Sequence, residues 1–411
     1  MAITEVPTTS FQTAVGVDGV TRKITMDDVA GNRSLFNELI ITEKTPLIEL
    51  NPALGLTTLR DTSTVVNTGT VTNGAGEHII STGVTTASSA KITSVETGRY
   101  YPGTAAQAGL GVRLPGTYTG TAKAEWGYFG ATDGLGFGLD ATNDYIFYTR
   151  ASTQTKVYRD SWNVDIMDGT GPSGATYAPS TGNIFQIVFS WYGYGTIEWY
   201  IVMEDASGSQ VPFLVHRYRP SSANSIENPN QPLTLLVDNG NTTTDYIAYV
   251  GGRQFSIFGR YIPSLRRTHS ERVALAAVGT TFVPLVTVRR KTGFSGFPVK
   301  LHQVSLLTDA ALIWEVRVSG TLTGAVYAAP TNIPATETSL EADISATAIT
   351  GGHKIEAGLV GTSGAGGKAS GGFSTNGFSI EVPGVEEVTL CARTVSGTAT
   401  VTAMLGMEEE W

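Results

Sequence analysis

The run Ile184-Phe185-Gln186-Ile187-Val188-Phe189-Ser190-Trp191-Tyr192-Gly193-Tyr194-Gly195-Thr196-Ile197-Glu198-Trp199-Tyr200-Ile201-Val202-Met203 decides the class of fold. One parity of its first half holds Phe185, Ile187, Phe189 and Trp191, and the other holds Ile184, Gln186, Val188 and Ser190. A period of two is the mark of a strand with one dry face. After Tyr192-Gly193-Tyr194-Gly195 the alternation resumes, with Ile197, Trp199, Ile201 and Met203 on one parity and Thr196, Glu198, Tyr200 and Val202 on the other. The reading is a β-hairpin with large apolar side chains turned into a core and a mixed face left wet. Burial of each such side chain contributes about 1.5–3 kcal/mol, which offsets much of the ordering entropy.

Composition extends this reading to the rest of the chain. Glycine supplies 48 of 411 residues, about 12% against an average near 7%, and charged residues are only 15% against a usual ~25%. That is the profile of a turn-rich all-β protein, and 41% hydrophobic residues exclude wholesale disorder. A length of 411 residues predicts two or three folded units. The 36 acidic against 27 basic residues disfavour nucleic-acid binding, which needs clustered cations. The single cysteine, Cys391, forms no internal disulfide, and the five histidines are too scattered for a metal site. No cofactor is expected. The start, Met1 to Phe11, lacks a signal-peptide pattern. The apolar window Val273 to Val288 is broken by Gly279 and Pro284 and falls short of a membrane span, so no membrane insertion is expected.

Along the chain, Asp27 to Ile40 has apolar residues near helical spacing with acids at its front, which suggests one short helix. Its apolar clusters, Leu35 to Ile41 and Leu47 to Leu50, suit a partly helical N-terminal anchor over residues 1–55. A first β domain is expected over 56–265, with a boundary in the basic, proline-containing segment Arg260 to Arg272. About nine short strand patterns then predict a second antiparallel sandwich over 266–411, with Gly361 to Gly372 as a loop tip.

Catalytic patterns fail where their spacing is tested. No Gly-x-Ser-x-Gly occurs, Gly367-Lys368 lacks the residue that completes a P-loop, and Gly136-Phe137-Gly138 lacks a third glycine. Sugar cleavage needs two carboxyl groups roughly 5–10 Å apart. Glu125, Asp140, Asp144, Asp160, Asp165, Asp168 and Glu198 are the acids available in the middle of the chain, without an alternating pair on one strand. No enzyme is expected. The polar loop Arg159 to Gly174 has two readings. In one, Asp165 and Asp168 ligate calcium, at a spacing that does not match the EF-hand loop, while Trp162 stacks on a sugar; in the other, favoured here, these side chains cap turns and plug the sandwich edge. Trp191 and Trp199 read as core by parity, and Tyr192 and Tyr194 at the hairpin tip as surface contacts.

The text from Trp162-Asn163-Val164-Asp165 through Asp168-Gly169-Thr170-Gly171-Pro172-Ser173-Gly174, with Asn183-Ile184-Phe185-Gln186-Ile187 and Trp191-Tyr192-Gly193-Tyr194-Gly195, resembles a family of tailed-bacteriophage virion proteins. Arg99-Tyr100-Tyr101-Pro102-Gly103, Trp126-Gly127-Tyr128-Phe129 and Pro334 to Asp343 look like the same family, so the resemblance spans about residues 90–410. It implies a concanavalin A-like (lectin-like) jelly roll followed by a second sandwich. It also implies a structural protein of the virion, in head or tail decoration or a fibre, made in the host cytoplasm. Such a protein works by self-association into a homo-oligomer and by docking on other virion proteins. The alternative is an adhesion module that binds a receptor or host surface glycan, and a weaker one is a polysaccharide-degrading enzyme. Trp162, Asp165, Asp168, Tyr192 and Tyr194 are the candidate ligand or subunit contacts.

Overall fold

The computed structural model describes residues 44–205, 208–221, 223–259, 266–294, 299–331, 333–361, 369–373, 380–381 and 386–409, together with the backbone of two N-terminal strands. Those two, β1 (Phe11–Val15) and β2 (Thr21–Thr25), form an antiparallel hairpin. The helix expected over Asp27 to Ile40 lies outside the described residues.

The first sandwich contains β3 (Lys44–Leu50), β4 (Asp61–Val66), β5 (Thr70–Gly74), β6 (Glu77–Ser81), β7 (Ser89–Thr97), β8 (Ala105–Arg113), β9 (Lys123–Phe129), β10 (Gly134–Asp140), β11 (Asp144–Arg150) and β12 (Thr153–Tyr158). It is completed by β13 (Asn183–Phe189), β14 (Ile197–Glu204), β15 (Gln210–Tyr218), β16 (Pro232–Asp238) and β17 (Ile247–Phe258). Seven strands form one sheet in the order β12-β11-β10-β9-β16-β7-β4. The opposing sheet runs β15-β14-β13-β8-β17-β6-β5, with β3 paired to β17. All pairings are antiparallel, and the arrangement is a two-sheet jelly-roll sandwich.

The hairpin forms as its alternation requires. Phe185 faces Ile201, Ile187 faces Trp199, and Phe189 faces Ile197, and all six are buried in the sandwich core. The two sheets are locked by aromatic contacts. Trp126 lies 5.0 Å from Phe185, Tyr128 lies 5.0 Å from Phe255, and the Trp199 indole donates to the Gly136 carbonyl on the opposite sheet at 3.1 Å. Two details differ from the sequence reading. The strand ends at Phe189, so Trp191 belongs to the connecting loop, half-buried, with its indole donating to the Ile226 carbonyl at 3.0 Å. The mixed face is not uniformly wet, because Arg217 and Tyr200 close over Glu198 at 2.6 and 2.5 Å and bury the carboxylate.

Residues 44–55 are part of this sandwich and not of a separate anchor. Strand β3 pairs with β17 and places Ile48 and Leu50 in the common core, which is where that apolar cluster finds its cover.

The second sandwich contains β18 (Arg266–Val278), β19 (Val283–Arg290), β20 (Val299–Thr308), β21 (Leu312–Thr323), β22 (Leu340–Asp343), β23 (Ala348–Val360), β24 (Ala369–Phe373), β25 (Ile380–Glu381), β26 (Val388–Thr394) and β27 (Ala399–Glu409). One sheet runs β18-β27-β20-β24 with β25 also on β20, and the other runs β22-β19-β26-β21-β23. They share a Val- and Leu-rich core around Trp314. Arg266 to Arg272 is strand here, paired with β27. Residues 369–372 of the expected loop tip belong to strand β24, which pairs along the edge of β20. Among the described residues, no helix is long and apolar enough to cross a membrane.

Candidate binding cleft

Strand β9 reads Lys-Ala-Glu-Trp-Gly-Tyr-Phe, and its parity sorts two faces. Ala124, Trp126 and Tyr128 enter the core. Lys123, Glu125, Gly127 and Phe129 therefore line the outer face of the seven-stranded sheet. Its neighbour β10 alternates glycine with Leu135, Phe137 and Leu139, leaving Gly134, Gly136 and Gly138 on that same outer face. Gly136 and Gly138 must be glycine, because the β11 rings lie across them: a Cβ on Gly136 would sit 2.4 Å from the Phe147 ring, and one on Gly138 2.3 Å from the Tyr145 ring, whereas one on Gly134 would meet Phe129 of β9 at 2.1 Å. Part of the glycine excess is thus a packing requirement. The rings of Tyr145 and Phe147 join Phe129 in a small apolar cluster outside the main core.

Beside this cluster lies a cleft of about 460 Å³, lined by Lys91 and Thr93 of β7, Lys123, Glu125 and Phe129 of β9, Thr149 and Gln154 of β11 and β12, Thr234 and Leu236 of β16, and the turn residues Gly130, Ala131 and Ser152. Glu125, only 3% exposed, is the hub of its floor. Lys123 Nζ reaches one carboxylate oxygen at 3.0 Å, while the Tyr145 hydroxyl at 2.9 Å and the Gln154 amide at 3.1 Å donate to the other. Burial first, and then the Glu125 charge, push the Tyr145 pKa far above its ordinary value, so this hydroxyl remains a donor. Outside the cleft lining, Lys156 Nζ and the Tyr158 hydroxyl both hold Asp140 at 3.0 Å, and Lys156 lies 3.9 Å from the Tyr145 ring centre. Burial alone raises the Asp140 pKa; the Thr142 amide, Lys156 and Tyr158 outweigh it and hold the carboxyl below its usual range.

The residues singled out in the sequence sit elsewhere. Trp162 is buried in the core with its indole donating to the Val157 carbonyl at 3.2 Å, and cannot stack on a surface sugar. Asp165 is buried and caps its own loop, accepting from the Met167 and Ser173 amides, both at 2.8 Å. Gly171 is needed beside it, since a Cβ there would lie 2.1 Å from the carboxylate. Asp168 caps a turn through the Thr170 amide at 2.8 Å. The turn-forming reading of this loop therefore accounts for all three, because short acidic side chains beside glycine satisfy loop amides. Tyr192 and Tyr194 stand at the tip, 53% and 63% exposed. Of the acids weighed for sugar cleavage, Glu125 lines the cleft. Lys91, Thr93, Lys123 and Gln154 were missed; parity alone separates Lys123 and Glu125 from Trp126, but only strand pairing shows what they face. Among the described residues, no group of three or more His, Cys, Asp or Glu side chains is placed to hold a metal ion.

A pH-sensitive group stands at the start of β11, against Arg159. Asp144 lies 3.4 Å from both Arg159 Nη1 and the Tyr177 hydroxyl, yet burial outweighs these partners and lifts its pKa from 3.8 to about 6. The folded carboxyl keeps its proton where the unfolded one has lost it. Its contribution to stability is therefore fully present below about pH 4 and is lost as pH rises to about 6. In urea denaturation, the stability of the wild type minus that of Asp144→Asn should fall by on the order of 2–3 kcal/mol across that window. A difference that stays flat from pH 4 to 7 contradicts this assignment.

No family model matches the chain, and no curated protein matches it. Among solved structures, the chain is similar to the endo-β-1,4-glucuronan lyase of Trichoderma reesei, with 11% identity, 53% of this chain and 96% of that one covered, and a TM-score of 0.34. It is similar to peanut lectin, with 7% identity, 51% and 97% coverage, and a TM-score of 0.32. It is also similar to the metal-free lectin I-B4 of Griffonia simplicifolia, with 12% identity, 51% and 99% coverage, and a TM-score of 0.32.

Proposed function

We propose that the protein is a glycan-binding module and that the cleft on the seven-stranded sheet is its site. The observation that carries this reading is the mixed chemistry of the cleft. Its floor sets Thr234, Gln154 and the Glu125 cluster beside the apolar Phe129 and Leu236, within a volume of about 460 Å³. A sugar ring has the matching character, with hydroxyls at its edge and C–H groups on its faces, and the volume lies in the usual ~300–1,000 Å³ range of ligand sites. Binding without turnover is the reading taken, since sugar cleavage uses a pair of carboxyl groups and Glu125 is the carboxylate that lines the cleft among the described residues. A virion surface, as the sequence resemblance implies, would be a natural setting. Display as a homo-oligomer docked on other virion proteins would turn a weak single site into firm attachment to a host surface glycan.

Ala131 supplies the test, since it is exposed at the cleft rim and its side chain supports no core. On an array of host-type glycans, Ala131→Trp should abolish the signal given by the wild type while its denaturation midpoint stays unchanged. Retention of the full signal by Ala131→Trp would place binding elsewhere.

A further inference from the structure

The cleft is lined by two lysines and one carboxylate, and the carboxylate already takes three hydrogen bonds. Glu125 accepts from Tyr145 and Gln154 on one oxygen and from Lys123 on the other. Lys123 uses one of its three N–H groups in that pair and keeps two. Lys91 stands on the outer face of β7, opposite Leu236 of β16 and Thr64 of β4. Among the described residues, it makes no ion pair. Two acids stand opposite Lys123 by register, outside the cleft lining: Asp238 accepts from the Gly240 amide at 2.7 Å, and Asp140 is paired with Lys156. Within the lining, cations therefore outnumber carboxylates by two to one, and Lys91, the rest of Lys123 and the second Gln154 N–H remain as donors for a ligand. This excess of positive charge stands on a chain whose net charge is −9, so it is a local feature and not a general one.

We infer that the cleft takes an anionic glycan, a sugar chain whose carboxylate or sulfate group lies between the Lys91 and Lys123 ammoniums. This rests on the glycan-binding reading and narrows it. A neutral sugar offers hydroxyl oxygens to these donors but no charge to set against the Lys91 ammonium. A carboxylate or sulfate brings acceptors only, and its bonds to ammonium groups are the charge-assisted kind, about twice as strong as neutral ones. Lys91 is the discriminating residue because it makes no ion pair among the described residues, whereas Lys123 also supports Glu125.

The test uses the full chain and matched probes: polygalacturonate against its methyl ester, carboxymethylcellulose against hydroxyethylcellulose, and dextran sulfate against dextran. Binding is measured by calorimetry at 50 and 300 mM sodium chloride. At least one acidic member should bind about tenfold more tightly than its neutral partner at low salt, with the preference shrinking at high salt. Lys91→Ala should remove most of that preference, Lys91→Arg should keep it, and Ala131→Trp should abolish binding of both members. Equal binding within every pair, lost in Ala131→Trp, overturns the charge inference and leaves the cleft as a glycan site. Acidic binding that survives both Lys91→Ala and Ala131→Trp overturns it by placing the cations elsewhere. Binding of no member of any pair overturns the inference together with the reading on which it rests.

Discussion

Phe189→Ala should destabilise the first sandwich by about 3–5 kcal/mol, the range for deletion of an enclosed phenylalanine. Phe189 is fully buried at the junction of the two sheets, with its ring centre 5.4 Å from Tyr128, 5.8 Å from Tyr100 and 6.4 Å from Phe255. The cost falls at the upper part of that range when neighbours cannot collapse into the space left behind. Tyr128 is such a neighbour, since its hydroxyl is fixed 2.6 Å from the Pro229 carbonyl and its ring is stacked on Phe255 at 5.0 Å. Tyr194→Ala removes an exposed ring and should change stability by less than about 0.5 kcal/mol. Denaturation of the full chain, followed by tryptophan fluorescence, compares the two. Equal midpoints for both variants mean that the hairpin presents the opposite face to the core.

The second large effect is expected at the far side of the same core. Arg253 on β17 reaches Asp61 at the start of β4 at 2.7 Å, joining the two sheets through a pair whose side chains are 0% and 4% exposed. His78 on β6 stands 3.7 Å from the other Asp61 oxygen. Burial, and then the Arg253 charge, lower the His78 pKa, so the imidazole remains neutral around physiological pH. Two guanidinium nitrogens of Arg253, Nε and Nη1, are buried without a hydrogen-bond partner, which leaves Asp61 as the group that compensates its charge. Asp61→Ala should therefore cost about 3–5 kcal/mol, the usual result of stranding one member of a buried ion pair. Replacing both members with apolar residues, Asp61→Leu with Arg253→Met, should recover most of the loss, since the desolvation cost of the pair disappears with it. A loss below about 1 kcal/mol for Asp61→Ala contradicts the view that this charge is enclosed.

The β architecture was legible where a single strand carries its own alternation, as in Phe185, Ile187 and Phe189, because one buried face imposes a period of two whatever the partner. The hairpin register follows from the same fact. The binding cleft was not legible, because its members come from strands far apart in sequence: Lys91, Glu125 and Gln154 meet only once β7, β16, β9, β10, β11 and β12 take their order in the sheet. Glu125 stood among the candidate acids, with nothing in its neighbours to show that Tyr145 and Gln154 would hold it. Trp162 and Asp165 drew notice because polar and aromatic residues crowd one short stretch, yet that density serves the loop itself. Residues 44–50 were assigned with the N-terminal segment because their partner, β17, lies some two hundred positions downstream.

The location of a bound saccharide tests the account most directly. A crystal of the full chain soaked with an acidic oligosaccharide should show sugar density on the outer face of the seven-stranded sheet, against Lys91, Lys123 and Gln154 and beneath Ala131. Density at the Tyr192 and Tyr194 tip, with the cleft left to solvent, would contradict it.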